Sequence, residues 1–187
     1  MNADFKIFHP HNPEVVEALM DNVEIIDNSK FIKVLLNHYI PFDIKNKLIS
    51  DNLILMSSDA GGFKPLMKLY DKIHWKGETI SASKARTEDG MEQILPEFTS
   101  GKDILIIDDI CVYGGTFKGL SELIRETGFE NKLYLAVSHM TVQNLGDDPV
   151  TNYFDKVFTT NSKFDEYHWQ DEDGYMSAEN LEIIKLF

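Results

Sequence analysis

Twice along this chain an apolar run ends in a loop that combines an acidic residue with Gly-Gly, and a helical stripe of apolar residues follows. LILMS (53–57) runs into SDAGG, after which Leu66, Leu69, Tyr70 and Ile73 share one helical face. KDILIID (102–108) runs into the DDICVYGG loop, and Phe117, Leu120, Leu123 and Ile124 form a second stripe that Gly128 is placed to end. Repeated strand, loop and helix units favour parallel strands, because each helix carries the chain back to the same end of the sheet. KLYLAVSH (132–139), DKVFTTN (155–161) and TISAS (79–83) read as further strands, and LEIIKLF as a closing one. The expected fold class is α/β, a mostly parallel sheet flanked by helices.

Other segments are less regular. From Ser29, read as a helix cap, SKFIKVLLNHYI places Ile32, Leu35, Leu36 and Tyr39 on one face and predicts a helix ending near Pro41. KARTEDGMEQ lacks an apolar period and reads as a loop. A chain of 187 residues is long enough for one good core. The expected organisation is an N-terminal elaboration, 1–45, packed on a main domain, 46–187.

The 18 basic and 31 acidic residues give a net charge of −13, which disfavours binding to nucleic acid backbones. A phosphorylated small substrate then needs local cations or a metal. No apolar run reaches the roughly 20 residues of a membrane span. MNADFKIFHPHNPE has neither the basic start nor the apolar stretch of a secretory signal, so a cytoplasmic location without a membrane partner is expected. Cys111, the single cysteine, excludes an intrachain disulfide and a Cys-based zinc site; small apolar packing and reactivity both remain open for it.

The chemistry concentrates at Asp108, Asp109, Gly114, Gly115 and Thr116, at a strand's C-terminal end and a helix start, where open α/β sheets bind ligands. Glycines let backbone N–H groups approach a phosphate, the helix start offers unpaired donors, and Thr116 adds a hydroxyl. The two carboxylates would repel a phosphate; they suit sugar hydroxyls or Mg²⁺. The competing reading is an exposed strand end followed by a simple turn. The spacing matches neither G-x-x-x-x-G-K-[ST] nor GxGxxG. His9 and His11 lie in a Pro-bounded segment read as an exposed loop, and His139 reads as a polar strand-end residue.

ILIIDDICVYGGTF (104–117) resembles the phosphoribosyl pyrophosphate (PRPP) motif of type I phosphoribosyltransferases. That resemblance implies that Asp108 and Asp109 contact the ribose hydroxyls, and it makes the same pair the candidate Mg²⁺ site, directly or through ligand or water. It gives the 5-phosphate to Val112, Tyr113, Gly114, Gly115 and Thr116. LMSSDAGGFKPLMKL resembles the diphosphate loop and helix of ribose-phosphate pyrophosphokinases, which assigns pyrophosphate binding to Ser58, Asp59, Ala60, Gly61 and Gly62. SASKART is similar to the base of their catalytic loop, making Lys84 and Arg86 candidate catalytic cations for charge developing on the diphosphate. The likeness covers about residues 44 to 162, including YLAVSHMTVQNLGDD and KVFTTN, and the branch approached is the second half of the pyrophosphokinases.

Two departures shape the functional expectation. Val112 stands where purine-salvage members have an Asp that handles a proton on the base, and Tyr113 replaces a small residue, to stack on a ligand or to fill the pocket. The chain supplies essentially only one of the pyrophosphokinases' two similar halves. The leading expectation is therefore an enzyme transferring phosphoribosyl from Mg²⁺-bound PRPP to a nitrogenous acceptor with release of pyrophosphate. The alternatives are a pyrophosphokinase-like enzyme acting on ATP and ribose 5-phosphate, and a non-catalytic PRPP or nucleotide sensor. The family resemblance also implies a homo-oligomer. Tyr167, His168 and Trp169 either cover a base or pack locally, and the acidic patch from Asp165 to Asp173 reads as a solvated face.

Overall fold

The structure, a computed structural model, describes residues 5–40, 49–87, 90–141, 148–163, 170–171, 174–175 and 180–186. Tyr167, His168 and Trp169 lie outside the described residues, as do Asp165, Glu166, Glu172 and Asp173 of the acidic patch. In chain order the elements are β1 (Phe5–Phe8), α1 (Pro13–Leu19), β2 (Val23–Ile26), α2 (Ser29–His38), the single turn α3 (Ile49–Asn52), β3 (Leu53–Ser57), α4 (Ala60–Ile73) and β4 (Thr79–Ser81). Then come β5 (Ser83–Thr87), β6 (Gly90–Ile94), β7 (Asp103–Cys111), α5 (Gly115–Glu126), β8 (Leu133–Met140), a 3-10 turn (Val150–Tyr153) and β9 (Lys156–Thr160). The short β10 (Gln170–Asp171) and β11 (Gly174–Tyr175) pair with each other, and β12 (Leu181–Ile184) closes the chain.

Six strands form one sheet in the order β12-β9-β8-β7-β3-β4, and every neighbouring pair is parallel. The chain moves from β3 outward to β4, then crosses back to β7 on the other side of β3. Strand order therefore reverses between β3 and β7, and a crevice opens at their carboxyl ends, the place where ligands of open α/β sheets bind.

Alternation along the central strands builds two cores. Ile54, Met56, Ile104, Ile106, Leu133 and Leu135 face Phe117, Leu120 and Ile124 of α5. Their neighbours Leu53, Leu55, Leu105, Ile107 and Phe158 face Phe31, Ile32 and Leu35 of α2 and Leu66 and Leu69 of α4. Most of these side chains are fully buried, each contributing about 1.5–3 kcal/mol on transfer from water. Cys111 is also buried, in the α5-side core, as small apolar packing requires.

Three expectations need correction. Ser29 is the first residue of α2 rather than its cap; Asn28 takes that place. Tyr39 is partly exposed, and Phe31 takes its share of the buried face. KARTEDGMEQ is no loop: β5 and β6 form an antiparallel hairpin with Arg86 opposite Met91 and Thr87 opposite Gly90. Strand pairing, which needs no helical apolar period, orders this polar segment. The Gln93 side-chain amide donates to the Thr116 carbonyl at 3.1 Å, fixing the hairpin beside the start of α5.

Candidate functional site

A cleft of about 1100 Å³ lies over the crevice between β3 and β7. Its walls include the ends of both strands, the first turns of α4 and α5, Lys84 and the segment after β1. The residues singled out from sequence converge here with two exceptions: Ala60 and Arg86 do not line it. Arg86 is exposed, one alternation farther along β5 than Lys84.

Asp108 and Asp109 sit where β7 leaves the core. The Asp109 N–H donates to Asp108 Oδ1 at 2.8 Å, and the Ser58 hydroxyl donates to Asp108 Oδ2, tying the two strand ends together. Burial is the main influence on Asp108 and, despite those two hydrogen bonds, its carboxyl is pushed up to about 6, with the negative charges of Asp109 and Asp59 adding to the rise. Asp109 Oδ2 lies 2.5 Å from His11 Nδ1. That hydrogen bond, followed by the carboxylate's charge, holds the His11 imidazole above its usual range.

Past the carboxylates, Gly114 adopts a left-handed conformation (φ +76°) at the N-cap of α5, and no side chain caps the helix. Nothing lies within 4 Å of where a Cβ on Gly115 would stand. Among the described residues the start of α5 thus has open space at Gly115 and no side-chain cap, close to two carboxylates and Thr116. The Val112 carbonyl accepts from the Thr141 hydroxyl at 2.8 Å, which anchors the loop behind. Tyr113 is 70% exposed, so it stands at the mouth of the cleft and fills no pocket.

The loop after β3 is built differently. Asp59 caps α4, its Oδ1 accepting from the Gly62 N–H at 3.1 Å, while its Oδ2 lies 3.5 Å from Lys84 Nζ. Lys84 thereby bridges the hairpin to this loop, just as Gln93 bridges it to α5. A Cβ on Gly62 would stand 3.2 Å from the Ser57 Cβ, so this glycine allows the helix to start close against its strand.

His9 and His11 are the part of the site that sequence reasoning missed, and His139, the polar strand-end residue expected, supports them from outside the cleft. His9 is half-buried rather than loop-exposed; its Nδ1 lies 2.7 Å from the Ser138 hydroxyl, and burial pushes its pKa down to about 4. His139 Nε2 donates to the His9 carbonyl at 3.1 Å. Only the His-Pro-His spacing before the Asn12-capped, Pro13-led helix α1 hinted that this segment is held in place.

Among the described residues no group of three His, Cys, Asp or Glu side chains is arranged to hold a metal. Two carboxylates beside an open helix start suit Mg²⁺, which takes one or two carboxylates and completes its shell with water and ligand phosphates. No helix among the described residues is long and apolar enough to cross a membrane.

Comparison with known proteins sets this geometry in context. No family model matches the chain. Ribose-phosphate pyrophosphokinase of Chlorobaculum tepidum is 28% identical over 157 residues, 82% of this chain and 45% of that protein. Adenine phosphoribosyltransferase of Symbiobacterium thermophilum is 33% identical over 67 residues, 36% of this chain and 39% of that protein. The phosphoribosylpyrophosphate synthetase structure from Mycobacterium smegmatis superposes with a TM-score of 0.68 at 20% identity, covering 98% of this chain and 55% of that one. The chain therefore has a type I phosphoribosyltransferase-like fold and is similar in sequence to ribose-phosphate pyrophosphokinases over most of its length. It spans less than half the length of the curated pyrophosphokinases that it matches. The uncapped start of α5 coincides with the segment that resembles a PRPP motif, and the self-capped start of α4 with the segment that resembles a diphosphate loop.

Proposed function

We propose that the cleft binds a 5-phosphoribosyl ligand with Mg²⁺ and that the protein transfers the phosphoribosyl group from PRPP to a nitrogenous acceptor, releasing pyrophosphate. The observation that carries this reading is the open start of α5 beside Asp108 and Asp109. Val112, Tyr113, Gly114, Gly115 and Thr116 hold the 5-phosphate through backbone N–H groups and the Thr116 hydroxyl, and Asp108 and Asp109 take the ribose hydroxyls. Ser58, Asp59, Gly61 and Gly62 receive the diphosphate, Ala60 contributing only as part of the same helical turn.

In this reaction the bond from the anomeric carbon to the diphosphate oxygen breaks, and its electron pair leaves with pyrophosphate. The acceptor nitrogen forms the new bond and gives up its proton. Lys84, already held beside the diphosphate loop, neutralises the leaving charge, and Arg86 assists from farther out on the hairpin. Asp108 and Asp109 would hold Mg²⁺, directly or through ligand and water, and the bound ion would screen the diphosphate. Tyr113, exposed at the mouth, is placed to stack on the acceptor.

A second reading, diphosphate transfer from ATP to ribose 5-phosphate, is supported by the pyrophosphokinase relatives that align over most of this chain. Incubation with Mg²⁺, PRPP and a panel of nitrogenous bases, and separately with ATP and ribose 5-phosphate, distinguishes the two. Pyrophosphate release supports the first reading and AMP release the second. Turnover in neither assay, together with PRPP binding that Asp109→Asn abolishes, would leave a sensor. The absence of any ribose-phosphate binding would sink all three.

A further inference from the structure

The segment between β1 and α1 reaches the carboxylate pair from a part of the chain about 100 residues away in sequence. Several contacts fix it. The His9 N–H donates to the Ile26 carbonyl at 2.7 Å, the His9 ring is bonded to Ser138, and the His9 carbonyl accepts from His139. The His139 ring is itself bonded to the Ser162 hydroxyl at 2.7 Å, and Phe8 packs edge-on against it. His9 has φ +40°, an uncommon backbone state for a side-chain-bearing residue that persists only where surrounding contacts hold it. Two residues on, the His11 side chain is 84% exposed, yet its ring is bonded to Asp109.

The hydrogen-bond inventory of a bound pentose gives this placement a use. A ring hydroxyl has one proton to donate and lone pairs that accept, whereas ionised carboxylates only accept. A diol held by Asp108 and Asp109 alone would satisfy its protons and leave its oxygens without donors. The Ser58 hydroxyl is already committed to Asp108. Among the described residues His11 is the further side-chain donor that already touches the pair.

We propose that His11 is a specificity-determining residue of the ribose subsite, donating from its imidazole to a pentose ring hydroxyl that in turn donates to Asp109. His9 acts as its positioning residue. The inference rests on the ribose-phosphate reading of the cleft. In this arrangement the imidazole gives up its direct bond to Asp109, the hydroxyl enters between them, and both polar groups stay paired. A sugar lacking that hydroxyl leaves Asp109 and His11 to re-form their own bond and gains nothing from either. Sites built to pair with a hydroxyl reject analogues that lack it.

The test is isothermal titration of the wild-type chain and His11→Ala with ribose 5-phosphate, 2-deoxyribose 5-phosphate and 3-deoxyribose 5-phosphate, all in Mg²⁺. Wild type should prefer ribose 5-phosphate over at least one deoxy analogue by about 100-fold, and His11→Ala should cut that preference about ten-fold or more, with His11→Gln restoring part of it. The His11 ring-proton resonance should shift on adding ribose 5-phosphate. Unchanged discrimination in His11→Ala, or equally tightened binding of all three sugars, overturns this inference while the ribose-phosphate site stands. Failure of wild type to bind any of the three overturns both.

Discussion

The chain carries two Gly-Gly pairs at equivalent places, each after a strand and at the start of a helix, and the structure uses them for opposite purposes. Gly61 and Gly62 line the cleft but have no room for a side chain: a Cβ on either would come within 3.2 Å of a neighbour, and Asp59 already occupies the Gly62 N–H. Gly114 is buried in a left-handed turn, and Gly115 after it is open, with no described atom within 4 Å of an added Cβ at a helix start that no described side chain caps. The lesson is that Gly-Gly marks close approach, but only the surroundings show whether a protein group or a ligand approaches. At α4 the Asp59 carboxylate takes the Gly62 N–H, so an anion there depends on Lys84 or a cation beside it; at α5 no described side chain takes that place.

Gly115→Val should divide the two pairs most sharply. Calorimetry should show ribose 5-phosphate affinity falling about 30-fold or more, while the thermal midpoint stays within about 3 °C, since the added methyls enter the cleft and not the core. A large loss of stability instead would mean that the open space is structural. Gly62→Ala should do the reverse, destabilising by about 1–3 kcal/mol in urea titration because the methyl is driven against Ser57. A neutral result would show that the α4 start has slack.

The carboxylates differ in the same sense. Asp108 is raised to about 6, above its unfolded value, so its ionised form weighs against folding at neutral pH. Asp108→Asn should therefore stabilise the ligand-free protein by about 1–2 kcal/mol at pH 7, a gain that fades as pH falls through 6 toward 4, while ligand binding is lost. For His9 the sign is opposite. Its folded pKa, about 4, lies below the unfolded value, so the unfolded state binds the extra proton and stability attributable to His9 falls as pH drops from about 6.5 to 4. Against pH, the difference in melting temperature between wild type and His9→Gln should narrow or invert across that window; a constant difference would refute the assignment. The smallest effect belongs to Asp59→Ala, which removes a helix cap worth about 1 kcal/mol and frees Lys84.

Much of the fold was legible because buried parallel strands are continuous apolar runs. LILMS, DILIID, LYLAVS and KVFTT announce themselves, and the stripes of α4 and α5 follow the helical period. The β5–β6 hairpin was not legible by apolar period, because its polar residues are ordered by strand pairing. Half of the candidate site was readable for a related reason: Asp108 to Thr116 and Ser58 to Gly62 are local motifs whose geometry follows from a strand end and a helix start. His11 is not local. Its meeting with Asp109 depends on how the end of β1 and the segment after it are held against the end of β8, which no window of sequence encodes. Arg86 shows the converse, since proximity to Lys84 in sequence did not bring it into the cleft.

The central claim is that Asp108, Asp109 and the open start of α5 form a ribose 5-phosphate site. The most direct measurement is calorimetric titration of ribose 5-phosphate and PRPP in Mg²⁺ into wild type and Asp109→Asn. Saturable one-to-one binding to wild type, weakened about 100-fold or more in the variant, is the predicted result. Failure of either ligand to bind wild type at millimolar concentration, or equal binding to both proteins, would contradict it.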